Sequence, residues 1–336
     1  MDEVRRIADA VLYEGYVLWP YRRSAIKNRQ RWTFGGVYPQ AHAAGRDGDD
    51  PSMLQAQCLL ETDRDAAVDV TLRFLQVVER QVLAAGPDGL DPVDELDLGD
   101  ERHLTWEEAV ERELEQPGLR VDDLRTPRNV EILIPAGRRR ERLVDRDGRE
   151  VGALERSWRR LEGAVEIAAE RLVDGVVRIA VRVFNTSPYS GRAREEALRQ
   201  TLCSTHVVLR VTGGRFVSMT DPPPELADAA QACRNLGTWP VLVGPEGERS
   251  TVLCSPIILP DHPQVAPESP GDLFDATEID QLLVLNILSL TDEEKREMRD
   301  SDPRAREILE RTESLSPEDL MRLHGTIREF GMTRSR

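Results

Sequence analysis

Two stretches, Leu161 to Glu170 and Val176 to Phe184, constrain the fold most, because apolar and polar residues alternate strictly along both. Val177, Ile179, Val181 and Val183 fall on one side of the second stretch, which is the two-residue period of a half-buried strand. Asp174-Gly175 stands between the stretches, and this dipeptide closes a tight antiparallel hairpin. A chain built around such a pair needs further strands to cover the same apolar face.

Candidates for those strands recur along the sequence. Met53 to Thr62 and Ala66 to Val78, joined by Asp63-Arg64-Asp65, read as a second hairpin, with Val68, Val70, Leu72 and Phe74 on one face. Val130 to Pro135 is a further strand. Thr205 to Val211 and Arg215 to Met219 form a hairpin about Gly213-Gly214, and Val241 to Gly244 and Thr251 to Leu259 add two more strands. So many hairpins predict an α+β, mainly β fold of antiparallel, sandwich-like sheets. Helical periodicity is confined to particular segments. Val4, Ile7, Ala8, Val11 and Leu12 predict an N-terminal helix. Beyond the proline-rich stretch from Pro260 to Gly271, Thr277, the Thr291/Glu294 capping box, Asp302-Pro303 and Ser316-Pro317 start a series of helices. The organisation expected is a β core over 1–275 and a helical appendage over 276–336. An acidic, solvated insertion at about 86–125 would carry one helix from Thr105 to Glu115, opened by a Thr105/Glu108 capping box.

Composition removes several classes of function. The formal charge of −16 opposes general binding to nucleic acid or anionic lipid, both polyanions. The longest apolar run, Leu282 to Leu290, is far below the roughly 20 residues that span a bilayer, so no membrane insertion is expected. Met1-Asp2-Glu3-Val4-Arg5-Arg6 does not begin a secretory signal. Four cysteines at 58, 203, 233 and 254 are too dispersed for a disulfide scaffold, and a cytoplasmic location fits them best.

Four places carry candidate chemistry. Trp19 to Trp32 interleaves aromatics with five cations inside ten residues, among them Arg22, Arg23, Lys27, Arg29 and Arg31; Asn28 and Trp32 add recognition groups. Such a segment can clamp an anion or an acidic partner, and it can equally be a loop neutralised by the chain's own acids. The proline-rigid stretch Ile257 to Asp275 presents Glu268 and Asp272 as a binding surface or simply wraps the core. Cys203, His206, Cys233, Cys254 and His262 are metal ligands by residue type. Cys203 and His206, three apart on a strand, share a face only if a bend intervenes, and the plain reading is cysteines packed as small apolar residues. Lastly, Cys58 and Cys233 lack the signature of a nucleophilic cysteine, no Gly-x-Ser-x-Gly elbow occurs, and no phosphate or dinucleotide loop is present.

Several strings together carry a family resemblance: Leu12-Tyr13-Glu14-Gly15-Tyr16 with Pro20-Tyr21, Lys27-Asn28-Arg29-Gln30-Arg31-Trp32, Gly237-Thr238-Trp239-Pro240-Val241-Leu242-Val243, and Ala266 to Asp275. Over most of its length the chain resembles an uncharacterised family associated with gene clusters for high-affinity uptake nickel-iron (NiFe) hydrogenases of high-GC bacteria. The resemblance implies a role rather than a mechanism, since it transfers no catalytic motif. The reading favoured is a non-enzymatic accessory or assembly factor that binds a protein partner, with hydrogenase subunits or maturation proteins as the implied partners. No cofactor is expected. A metal- or cofactor-handling protein using the Cys/His set is the alternative, and an enzyme of unknown type the third.

Overall fold

The computed structural model describes residues 3–13, 34–44, 50–99, 101–173, 175–191, 193–263, 287–288, 290–301 and 303–314. Its organising element is one very long strand, β1 (Met53–Gly86). Leu54, Ala56, Cys58 and Leu60 and, beyond the charged tripeptide, Ala66, Val68, Val70, Leu72 and Phe74 are buried even-numbered residues, so the same face is apolar on both sides of the tripeptide. The hairpin expected about Asp63-Arg64-Asp65 is therefore not formed. The even-numbered register survives the charged tripeptide, and the backbone merely shifts register against its neighbour there.

The remaining strands follow as β2 (Gly89–Val93), β3 (Glu95–Asp97), β4 (Arg102–Leu104), β5 (Trp106–Arg120), β6 (Arg128–Ile134), β7 (Gly137–Val144), β8 (Glu150–Trp158), β9 (Leu161–Val173), β10 (Val176–Asn185), β11 (Cys203–Phe216), β12 (Trp239–Leu242) and β13 (Thr251–Ser255). All pairings are antiparallel. The main path runs β12-β13-β11-β1-β10-β9-β6. β8 pairs with the far end of β1, Glu79 to Ala84, beyond the Met53 to Glu61 stretch that pairs with β10, so the long strand holds different partners at its two ends and the sheet curls. This is the mainly β, antiparallel architecture that the alternation predicts. The β9–β10 hairpin forms as expected, with Gly175 at φ +77°, a backbone conformation that glycine adopts without a Cβ penalty.

Two expectations are corrected. Gly213-Gly214 does not close a hairpin, because β11 continues through both glycines and pairs with β1 on either side of them. Residues 106–120 are strand β5, not a helix. Thr105 does not cap: its Oγ1 donates to the Val93 carbonyl and accepts the Val82 N–H. Glu108 receives Arg80 and Arg156 instead. The open edge of β1 from Ala67 to Arg80 offers a continuous ladder, and that tertiary pairing outweighs the helix preference of a Glu/Ala-rich segment.

Helix α1 (Glu3–Tyr13) forms as expected. It sets Val4, Ile7, Ala8 and Val11 against Val208, Val241, Val243 and Leu253 on the outer face of the sheet. Two short helices follow, α2 (Gln40–Ala43) and α3 (Arg194–Leu198), then α4 (Ala227–Gln231). The Thr291/Glu294 capping box is present: Glu294 N–H donates to Thr291 Oγ1 at 3.3 Å and Thr291 N–H to Glu294 Oε2 at 2.9 Å. It opens α5 (Asp292–Ser301), and Pro303 opens α6 (Pro303–Glu313). Met298, Ala305, Ile308 and Leu309 of these helices join Leu12, Tyr13, Leu75, Val77 and Leu198 in one apolar cluster. No helix among the described residues is long and apolar enough to cross a membrane.

Candidate functional site

The basic-aromatic candidates Arg22, Arg23, Lys27, Asn28, Arg29, Arg31 and Trp32, and the acidic pair Glu268 and Asp272, lie outside the described residues. The chain re-enters the described structure at Phe34, on the rim of a cleft of about 220 Å³. Two isolated bridges fix that cleft to the sheet, Val37 to Leu202 and Gln55 to Leu236. Asn185, fully buried, donates from Nδ2 to the carbonyls of Val37 and Gln200, each at 2.7 Å. Gly35, at φ +57°, packs so closely on Pro256 that an added Cβ would stand 2.6 Å from the proline.

Two large aromatic side chains lining this opening stay in water, Phe34 at 40% exposure and Trp239 at 42%, and Leu236, 46% exposed, directly precedes the lining residue Gly237. Trp239 belongs to the Gly237 to Val243 string, so that string and the residues following Trp32 meet at one place. The opposite wall is polar and tightly tied. Asp50 accepts from His42 Nε2 at 2.9 Å and from Arg194 at 3.4 Å, and Arg194 also bonds the Tyr38 hydroxyl. His42 stacks on Tyr38 at 5.3 Å between ring centroids and meets Tyr189 edge-on at 5.5 Å. Burial pushes the Tyr38 hydroxyl above its ordinary pKa, against the pull of the Arg194 guanidinium. His42 is too buried to meet a substrate, at 2% side-chain exposure, so the His42–Asp50 pair braces the wall rather than shuttling protons.

The Cys/His set is distributed through the fold. Ser204 adopts φ +50°, and the ladder shifts register between Arg73–His206 and Leu75–Cys203. This bulge is the bend that puts Cys203 and His206 on the same outer face. Cys254 instead lies in the inner core with Cys58, Cys233 packs beside Leu59 and Leu226, and His262 bonds the Gly244 carbonyl at 3.1 Å. The five residues do not converge, and no group of three or more His, Cys, Asp or Glu side chains suited to a metal occurs among the described residues. Burial raises Cys254 to about 12 and Cys58 well above the ordinary thiol value, so neither is a ready thiolate.

Beneath α1 runs a polar seam that strand periodicity does not announce. Arg73 of β1, 3% exposed, lies opposite His206 across the ladder. Its Nη2 reaches Asp9 of α1 at 2.5 Å and Glu111 at 3.5 Å, and its Nε reaches Glu113 at 3.3 Å. Arg73 Nη1 and His206 Nε2 are buried without a hydrogen-bond partner among the described residues. His206 Nδ1 donates to the Ser204 carbonyl at 3.1 Å, and burial holds the imidazole's pKa down at about 3. The ring is therefore neutral beside the guanidinium. Arg73 also lines a cavity of about 330 Å³ between the first turns of α1 and the sheet. A strand-period argument finds such a residue only as an arginine on the polar face; its burial comes from the helix laid over it.

Compared with known proteins, the chain matches no family model and no curated sequence.

Proposed function

We propose that this protein is a non-enzymatic accessory or assembly factor that captures a protein partner at the Phe34–Trp239 cleft. The observation that carries the reading is the exposure of these two large aromatic side chains on one opening. Large apolar side chains exposed side by side, unlike ones scattered singly, mark interaction surfaces, and aromatic anchors dominate the binding energy of such surfaces. The cleft is the size of a single bulky side chain, and the braced wall behind it, Asp50–Arg194–Tyr38, supplies a guanidinium for an acidic neighbour of that side chain. The family resemblance supports a subunit or maturation protein of a NiFe hydrogenase as the partner. The bulge at Ser204 is the one feature favouring a metal-handling role, and His206's full burial weighs against it.

The test is affinity capture from the native host under hydrogenase-inducing conditions, comparing the wild-type chain with the Phe34→Ala/Trp239→Ala double variant. The expected outcome is a specific co-purifying protein that is lost with the variant while the thermal midpoint stays unchanged. Undiminished capture by a folded double variant would move the partner surface elsewhere.

A further inference from the structure

Strand β7 pairs with β8 and with no other strand among the described residues, so its far side is an open ladder edge. Both ends of that edge are anchored. Leu143 is buried with Val82 and Leu154, and Trp158 packs on Gly137 and donates its Nε1–H to the Pro135 carbonyl at 3.1 Å. Between the anchors stand Arg138, Arg139, Arg140 and Arg142 with one acid, Glu141, all exposed, in a chain whose formal charge is −16. A cationic edge keeps second copies apart, since two such edges would set arginine against arginine, and it leaves the ladder open to a strand of opposite charge.

The carboxylates of the fold do not neutralise this edge. Across β7, β8 and β1 the register sets Arg139 opposite Arg156 and Arg156 opposite Arg80. Like charges directly opposed across a ladder repel, and acids relieve only the inner two of the three. Glu108 takes Arg80 at 2.8 Å and Arg156 at 2.7 Å, and Glu141 is spent on Arg156 at 3.1 Å. Arg139, at the open end of the row, has no side-chain partner among the described residues. On the other face Arg142 has Glu150, whereas Arg138 and Arg140 share one carboxylate, Glu155, at 3.5 and 2.7 Å. A guanidinium charge is therefore left over on each face of β7, and both stand beside the place of the next strand.

We infer that the edge of β7 receives an acidic, extended segment of a partner protein as an added antiparallel strand. Backbone pairing along the edge supplies affinity, and carboxylates placed opposite Arg138, Arg139, Arg140 and Arg142 select the partner and its register. A neutral residue fits opposite Glu141. Nucleic acid has no peptide backbone to lay along the ladder, and the negative charge of the whole chain repels it. This surface is independent of the Phe34–Trp239 cleft, since none of the residues lining that cleft lies on β7 or β8.

Fluorescence anisotropy of the peptide fluorescein-Thr-Glu-Thr-Glu-Glu-Glu-Thr-amide, titrated with the full-length chain, tests it. In antiparallel register the four glutamates fall opposite Arg142, Arg140, Arg139 and Arg138 in turn. Saturable binding is expected, with slowed hydrogen exchange of the β7 amides. The same peptide in reversed order keeps its charge but loses the register, and it should bind about ten-fold more weakly, as should the analogue with glutamine for glutamate. Arg139→Ala should weaken binding about five-fold, the upper range of an exposed ion pair, with the thermal midpoint unchanged. No saturable binding, equal or tighter binding of the reversed or glutamine peptide, full affinity in Arg139→Ala, or binding that leaves exchange in β7 unaltered would each overturn the proposal. Displacement of the labelled peptide by oligothymidylate at a lower concentration than by the unlabelled peptide would also overturn it, by making the edge a general polyanion surface.

Discussion

The two faces of β1 and β11 are made from the same backbone yet follow opposite rules. Inward, Leu72, Phe74, Val207 and Leu209 close a continuous apolar core with Ile167, Ile179 and Val181. Outward, one residue along, Asp69, Thr71, Arg73 and His206 form a polar row; Arg73 and His206 are buried, Arg73 against Asp9 of α1, whereas Asp69 stays exposed. At these positions the inner face carries only apolar side chains, as a packed core requires. The outer face keeps a buried guanidinium and a buried imidazole, each with an atom unsatisfied, where apolar residues would have packed more cheaply. Polar groups buried by a covering helix need partners from it and from the next strand, as Asp9 and Glu113 supply for Arg73.

The contrast can be broken by stability measurements. Truncating the inner face should cost most: Phe74→Ala is expected to lose about 3–5 kcal/mol in urea unfolding, because the side chain is 1% exposed and surrounded by the core. Arg73→Leu should cost about 2–3 kcal/mol, less than the loss of a wholly buried partner, since Asp9, Glu111 and Glu113 keep 20–37% of their side chains in water. An Arg73→Leu variant as stable as wild type would mean that the outer seam is held by packing alone.

His206 sharpens the same comparison through pH. Its folded-state pKa, about 3, is far below the roughly 6.5 of an unfolded histidine. The unfolded chain therefore takes up a proton between these values that the folded chain refuses. Stability from this residue is complete above about pH 6.5 and falls by up to about 1.4 kcal/mol per unit as the pH drops toward 3. Unfolding free energies at pH 7 and pH 5 should differ by about 2 kcal/mol more in the wild type than in His206→Phe; equal differences would show that the ring is not held neutral by burial.

Smaller effects are expected outside both faces. Thr291→Ala removes the capping box of α5 and should cost about 1 kcal/mol, read as a lower thermal midpoint. Trp239→Ala, at the exposed cleft, should change stability by no more than about 0.5 kcal/mol. A larger loss there would class the tryptophan with the core instead of with the surface.

Much of the inner face was legible in the sequence. The run Val68-x-Val70-x-Leu72-x-Phe74 and its counterpart Val177-x-Ile179-x-Val181-x-Val183 name core residues by period alone, and Asp174-Gly175 names their turn. The candidate site was far less legible. Cys203, His206, Cys233, Cys254 and His262 are suggestive by type, yet only Cys203 and His206 share a face, through the bulge at Ser204, while Cys254 lies in the inner core and Cys233 and His262 sit off the strands. Arg194, Asp50 and Tyr38 lie more than a hundred residues apart at the extremes and carry no local signature, so only packing brings them to one wall.

The sequence by itself determined the class of fold, the face that each residue of the main strands would present, the N-terminal helix and the Thr291 cap, because periodicity, turn chemistry and capping act within a few residues. Only the tertiary structure decided that 53–86 is one strand rather than two, that 106–120 extends along its edge rather than coiling, and that α1 closes over Arg73. These outcomes depend on which ladder is open and which surface needs covering, and a backbone edge such as Ala67 to Arg80 overrides local propensity because every residue laid along it satisfies hydrogen-bonding groups that would otherwise remain unpaired.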